Sequence, residues 1–131
     1  MKLLDTTVLL EFFSGSEEEI ERIDNLFRDL ERQKEKLLVT EEVILELVYY
    51  LEHVQGWERE VVSDVVTTVI NDSLFRVEGA DTLREALKVY RGSKTPFLDC
   101  LKIAKARRRK VKEAVAYSRR FEKAGLRVIR P

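Results

Sequence analysis

Short apolar runs alternate with longer amphipathic stretches along this chain, and the alternation sets the first expectation of its fold. Lys2 to Leu4 reads as a short apolar strand that delivers Asp5 into the turn before a helix beginning near Thr7. After Ser14-Gly15-Ser16, a loop with helix-start chemistry, the highly charged segment Glu17 to Lys36 spaces Ile20, Ile23, Phe27 and Leu30 three and four residues apart. That spacing predicts a peripheral amphipathic helix with a narrow apolar stripe. Its acids stand at the front and its bases at the back, as the helix dipole prefers. Leu37 to Thr40 is a second buried strand, and Thr40 can cap the helix that follows. This next helix, Glu41 to about Gln55, gathers Val43, Ile44, Leu47, Val48, Leu51 and Val54 on one face, and Gly56 ends it.

Trp57 to Asn71 predicts another helix around Val61, Val65, Val66, Val69 and Ile70, against the helix-weakening effect of its many β-branched residues. Phe75 to Glu78 is a third strand, and Asp81 caps a short helix with Leu83, Leu87 and Tyr90 inward. Thr95-Pro96 restarts the chain as a helix, with Pro96 at the first helical position, where a missing N–H costs little. It runs to the cluster Arg107-Arg108-Arg109-Lys110. Ala114 to Tyr117 is a fourth strand, and Leu126 to Ile129 a fifth after the Gly125 turn. Strands separated by helices, each a short apolar run rather than an alternating one, predict an α/β sandwich with a mostly parallel sheet. No repeat, low-complexity tract or linker interrupts the chain, so one domain over residues 1–131 is expected.

Composition adds an asymmetry that the zero net charge hides. Of the 24 Lys plus Arg and 24 Asp plus Glu, residues 91–131 hold 14 bases and three acids; this end carries +11 and residues 1–90 carry −11. A basic C-terminal third attracts a polyanion, whereas the acidic remainder repels one unless the charges are separated in space or metal ions intervene. The plainer alternative is a solvated surface of mixed ion pairs. With 131 residues, 44% of them apolar, the chain can bury one core but not two. Cys100 is the only cysteine, which excludes an intramolecular disulfide and fits a reducing setting. No signal-peptide pattern opens the chain and no stretch approaches the ~20 apolar residues of a membrane span. A soluble, cytoplasmic protein without membrane attachment is expected.

Three of the acids are placed differently from those on helix surfaces. Asp5 ends the first strand, at the carboxyl edge where open parallel sheets hold their ligands, and two readings stand for it: a helix cap or a catalytic acid. Glu46 lies in ILELVYYLE at the border of the apolar stripe, between Leu45 and Leu47. Asp99 lies in TPFLDCLKIAKA in the first turn of its helix, on a row with Ile103 and Ala106 and bracketed by Phe97, Leu98, Cys100 and Leu101. Half-buried carboxylates are costly unless neutralised. Three of them converging where strands end and helices begin would need a cation. Hard oxygen ligands favour Mg²⁺ or Mn²⁺ over zinc, because His53 is the only histidine and Cys100 alone cannot complete a sulfur site. The matching chemistry is phosphodiester hydrolysis, in which a metal orients and helps ionise a water and neutralises charge developing on phosphate oxygens. No side-chain nucleophile is required.

The ordered set of strand-Asp5-Thr6-Thr7, Glu46 in ELVYYLE, Asp99 in FLDCLKIAKA, then YSRRF and a closing LRVIRP resembles the PIN-domain family. Within it, the match is to the small VapC-like ribonuclease toxins of toxin–antitoxin modules, over essentially the whole chain. The resemblance implies a five-stranded parallel sheet between helices, a Mg²⁺- or Mn²⁺-dependent endoribonuclease acting on RNA, a homodimer, and inhibition by a small antitoxin whose tail enters the acidic groove. It also implies that Asp5, Glu46 and Asp99 are the family's first three acids, as metal ligands and catalytic residues, and that Thr7 is a small polar residue steadying the site. The fourth position departs. Aligned on Phe121, Ser118 stands where the family has an acid and Ala116 where it has a Thr. That departure weakens the case for a second metal and supports a competing expectation, a catalytically impaired PIN-fold module that binds RNA or a protein partner.

Other chemistries fit the same residues less well. A phosphatase with an aspartyl nucleophile needs D-x-D, and the third position here is Thr7; a phospho-acceptor receiver domain needs acids on a strand before Asp5. Glu42, one turn before Glu46, belongs to the first helical turn, where a solvated dipole partner is the commoner role. His53 reads as a surface or boundary residue and Cys100 as a small core residue. Lys102 to Lys112 holds seven bases and no acid, either a solvated helix end or a phosphate-contacting rim. Arg119 and Arg120 are the better candidates for contact with RNA or an acidic partner.

Overall fold

All five expected strands form and every pairing is parallel, but they make two sheets rather than one. In the computed structural model, which describes all residues 1–131, β1 (Lys2–Leu3), β2 (Leu37–Val39) and β3 (Phe75–Val77) form a three-stranded sheet in that order. β4 (Glu113–Val115) and β5 (Arg127–Ile129) pair separately. The expected continuous sheet is corrected on this point. Each strand is only two or three residues long, so each ladder has few bonds with which to extend a sheet. The chain divides into two compact units, Met1–Ala80 and Asp81–Pro131.

In the first unit, α1 (Thr6–Ser14) and α2 (Glu17–Arg32) link β1 to β2. Ser16 and Glu19 close a reciprocal capping box at the start of α2, and these hydrogen bonds to Ser16 hold the Glu19 carboxyl below its ordinary pKa. α2 stops at Arg32, short of the expected Lys36, because Lys34 turns left-handed at φ 57° and Glu35 N–H closes on Leu30 C=O. Ile23, Phe27 and Leu30 are buried as the spacing requires. The rings of Phe12, Phe27 and Phe75 meet in a row, tilted and then edge-on, with centroids 5.2 and 5.5 Å apart.

The helix after β2 changes character midway. α3 (Glu41–Tyr49) is regular, and Tyr50–Val54 widens into a π-turn closed by Gln55 N–H on Tyr50 C=O at 2.9 Å. The wider turn shifts the phase of the side chains, so Leu51 stays fully buried while Val54, expected inward, is 62% exposed. Gly56, at φ +70°, then reverses the chain. In α4 (Arg59–Asn71) the buried face is centred on Val62, Val66 and Val69. Val61, expected inward, lies about 100° round from Val62 and is exposed.

In the second unit, α5 (Ala80–Arg91) buries Leu83, Leu87 and Tyr90 as expected, although it begins at Ala80 and takes Asp81 into its first turn. α6 (Phe97–Arg108) begins one residue later than expected, leaving Pro96 as its extended cap residue. Phe97, Cys100, Leu101 and Ile103 pack inward, with Phe97 edge-on to Tyr90. A short helix the periodicity does not predict, α7 (Arg120–Lys123), lies between β4 and β5. Four residues are too few for an amphipathic pattern to register.

Candidate active site

β1 and β2 run parallel and end at the same edge, so the helices that follow them start side by side. Leu4 N–H on Leu38 C=O extends the pairing by one residue, and the chain then enters α1 at Asp5-Thr6. Thr40 caps α3 through Val43 N–H. Two adjacent helix starts bring Thr6 of α1 against Glu46 of α3.

Thr6 is the centre of this arrangement and is almost wholly buried, at 3% exposure. Its N–H donates to Asp5 Oδ1 at 2.8 Å, and its hydroxyl donates to Glu46 Oε1, also at 2.8 Å. One buried residue therefore holds two carboxylates, one on each side. Asp5 serves as the cap of α1 with Oδ1, while Oδ2 keeps only a long 3.4 Å contact from the Thr7 hydroxyl. The two readings of Asp5 are thus compatible. Glu46 commits only Oε1 to Thr6. Glu42, in the first turn of α3, is likewise exposed, and it is Glu46 that the Thr6 hydroxyl meets.

The sequence pattern predicts half-burial for Asp5 and Glu46, and both are exposed. The reason lies in where the chain puts them. Asp5 follows the last paired residue of the strand, and Glu46 sits outside the row of Val43, Ile44, Leu47 and Val48 that packs inward.

Asp99 belongs to the second unit and is the more enclosed acid, with 14% side-chain exposure. Phe97, Cys100 and Leu101 around it are buried, whereas Leu98 is exposed. Its Oδ2 accepts from Arg120 Nη1 at 2.6 Å, and its Oδ1 faces Lys102 Nζ at 3.4 Å. Ser118, at the position expected to carry a fourth acid, accepts a hydrogen bond from Arg120 N–H at 3.1 Å. Its hydroxyl sets the start of α7, and α7 supplies the cation that answers Asp99. Of the two arginines suggested for RNA contact, Arg120 is already paired with Asp99 and Arg119 is exposed. No group of three or more His, Cys, Asp or Glu side chains stands together as a ready metal cluster. Instead, each acid has found a local donor or cation. His53 is a surface residue with its ring tilted against Tyr49, and Cys100 is buried with its thiol against Thr95 C=O.

The sequence pattern of the PIN domain matches residues 2–126, a span that includes Asp5, Thr6, Glu46, Asp99, Ser118 and Arg120. The chain belongs to the PIN domain family. It is similar to the VapC ribonuclease of Aquifex aeolicus (strain VF5), with 53% identity over 131 residues, covering 100% of this chain and 97% of that protein. No solved structure gives a significant match. No helix of this PIN domain is long and apolar enough to cross a membrane.

Thr6 is the link between two candidate acids that the sequence pattern misses. A threonine directly after a strand-end acid reads as a cap, and nothing in one dimension shows that its hydroxyl reaches a glutamate 40 residues on. Thr6→Val keeps the shape and the backbone donor to Asp5 but removes the hydroxyl that orients Glu46. We expect this variant to bind Mn²⁺ about 10–100-fold more weakly, measured by calorimetry, with the melting temperature reporting any loss of fold. Unaltered affinity would remove Thr6 from the site.

Proposed function

We propose that this PIN domain is a Mg²⁺- or Mn²⁺-dependent endoribonuclease, the toxin of a toxin–antitoxin module, with Asp5, Glu46 and Asp99 as its catalytic carboxylates. The observation that carries the reading is the 53% identity to a VapC ribonuclease along the full chain. The bridged carboxylate pair Asp5–Thr6–Glu46 is consistent with it.

The donor set fits a hard divalent cation. Asp5 and Glu46 offer carboxylate oxygens at exposed positions, each with an oxygen not tightly committed to Thr6, while the only histidine, His53, lies against Tyr49 and the only cysteine, Cys100, is buried. Asp99 is the third ligand of the proposal. When bound, the ion supplies Lewis-acid stabilisation of phosphate charge and lowers the pKa of water. Thr6 holds Glu46 in one orientation, and Thr7 lies near the second oxygen of Asp5 as the supporting hydroxyl. Lys102 and Arg120 hold the enclosed Asp99 in place, one at each oxygen. Arg119 and Arg120 are the arginines proposed to meet RNA or an acidic antitoxin segment. A homodimer in the cytoplasm, inhibited by a small antitoxin, completes the proposal.

Ser118 favours one second reading. Its neutral hydroxyl accepts from Arg120 N–H and carries no charge with which to replace a fourth acid, and a module that holds RNA without cutting it follows if three acids are too few. Purified protein and single-stranded RNA with Mn²⁺ should give cleavage that a chelator abolishes and added Mn²⁺ restores. Cleavage indifferent to chelation would overturn the metal-dependent assignment, and RNA that is bound but never cut would select the binding module.

A further inference from the structure

We propose that a basic cavity in the second unit binds the phosphodiester backbone of single-stranded RNA beside Asp99; its choice of ligand rests on the reading of the chain as an RNA enzyme. The cavity, about 740 Å³, is walled by the end of α5, the loop Gly92–Thr95, Arg107 near the end of α6, and α7. Lys88, Lys94, Arg107, Arg120 and Lys123 line it, and no carboxylate does. Its size is within the range of about 300–1,000 Å³ typical of small-molecule sites, so it accommodates a nucleotide unit rather than a single inorganic ion.

Helix dipoles account for only part of this cluster. Lys88 and Arg107 stand near the C-terminal ends of α5 and α6, where cations are favoured. Lys94 lies in the loop just before the N-terminus of α6, where a cation is disfavoured, and Lys123 is on a helix of four residues. Lys88, Lys94 and Lys123 are exposed and take part in no ion pair. Arg107 is pre-set, with Nη2 donating to Ala124 C=O at 2.8 Å. Cations gathered around one cavity repel each other, and an anion relieves that cost.

The chemistry of the walls selects a phosphate backbone. No aromatic side chain lines the cavity, so bases have nothing to stack on, and only Val89 and Ala124 are apolar, which leaves a peptide no anchor pocket. Guanidinium forks and lysine point charges match phosphate oxygens. Arg120 joins the cavity to the proposed catalytic apparatus, because it lines the wall and also grips Asp99 at 2.6 Å. A strand lying in the cavity would pass within one guanidinium of that acid.

The test uses the full chain carrying Asp5→Asn, in chelator so that no RNA is cut, and reads binding of a fluorescent single-stranded RNA as a function of salt. Adding Lys88→Gln, Lys94→Gln and Lys123→Gln should reduce the slope of log affinity against log salt by about 2, roughly 0.7 for each phosphate that is no longer neutralised. With the lines meeting near 1 M, affinity at 0.1 M salt should fall by about 100-fold. The matched removal of Arg109, Lys110 and Lys112, exposed bases outside the cavity, should have a much smaller effect. An equal loss in that control overturns the cavity as a site, as does an unchanged slope in the lysine variant. Lysine-dependent binding of polyglutamate with none of RNA would also overturn it, by assigning the cavity to an acidic peptide. A wild-type protein that never cuts RNA, together with the reduced slope, would leave the cavity standing while the catalytic reading fails. Metal-dependent cutting with an unchanged slope would do the reverse.

Discussion

Asp5→Asn and Asp99→Asn are each expected to lower Mn²⁺-dependent RNA cleavage by on the order of 10²–10³-fold, the scale seen when one preorganised electrostatic group is removed from a catalytic site. Both changes exchange a carboxylate for an amide of nearly the same shape. At Asp5 the exchange tests function cleanly, because Asn caps a helix about as well as Asp, and Thr6 N–H keeps its acceptor at Oδ1. At Asp99 the amide oxygen can still accept from Arg120, but the negative charge facing Arg120 and Lys102 is gone. Arg120 and Lys102 are themselves well exposed, so the loss of stability should stay near 1 kcal/mol. Initial rates at saturating Mn²⁺, with melting temperatures measured in parallel, separate the two effects. Full activity in Asp5→Asn would trace the cleavage to a contaminant, and full activity in Asp99→Asn would confine the site to the first unit.

A large effect on stability is expected at Leu47. It is fully buried in the last turn of α3, one residue from Glu46, and truncation to Ala loses both its transfer free energy and the packing around it. Leu47→Ala should cost about 3 kcal/mol, a large share of the roughly 5–15 kcal/mol that holds a domain folded. A urea titration should show this as a lower midpoint with an unchanged slope. The paired valines of α4 test the same packing more finely. Val62→Ala, at a fully buried position, should be clearly destabilising, whereas Val61→Ala, at 45% exposure, should change stability by less than about 0.5 kcal/mol. Equal costs at 61 and 62 would contradict the face that α4 is seen to bury, and a cost below 1 kcal/mol at Leu47 would contradict the core.

Much of this protein can be read in one dimension. The strand–helix alternation and the inward rows Ile23-Phe27-Leu30 and Leu83-Leu87-Tyr90 follow from local periodicity, because burying one face of an element requires spacing that the sequence itself displays. The candidate acids are legible for a related reason: each stands in an apolar setting, where a charge is conspicuous. Pattern and structure part where the backbone leaves its ideal period. The π-turn at Tyr50–Val54 moves Val54 to the surface, and a face displaced by one position exchanges Val61 for Val62.

What only the tertiary structure decided is which partners the acids take. Thr6 reaches Glu46 because two parallel strands end together and start their helices side by side, a relation between segments 40 residues apart that no local pattern encodes. Likewise, Ser118 is visible in the sequence only as a missing acid; folded, it fixes Arg120, and Arg120 pairs with Asp99. The sequence alone determined that Asp5 ends a strand and opens a helix. The fold determined that Thr6, whose N–H an Asp5 oxygen caps, also reaches Glu46, because hydrogen bonds and ion pairs depend on distance in space and not along the chain.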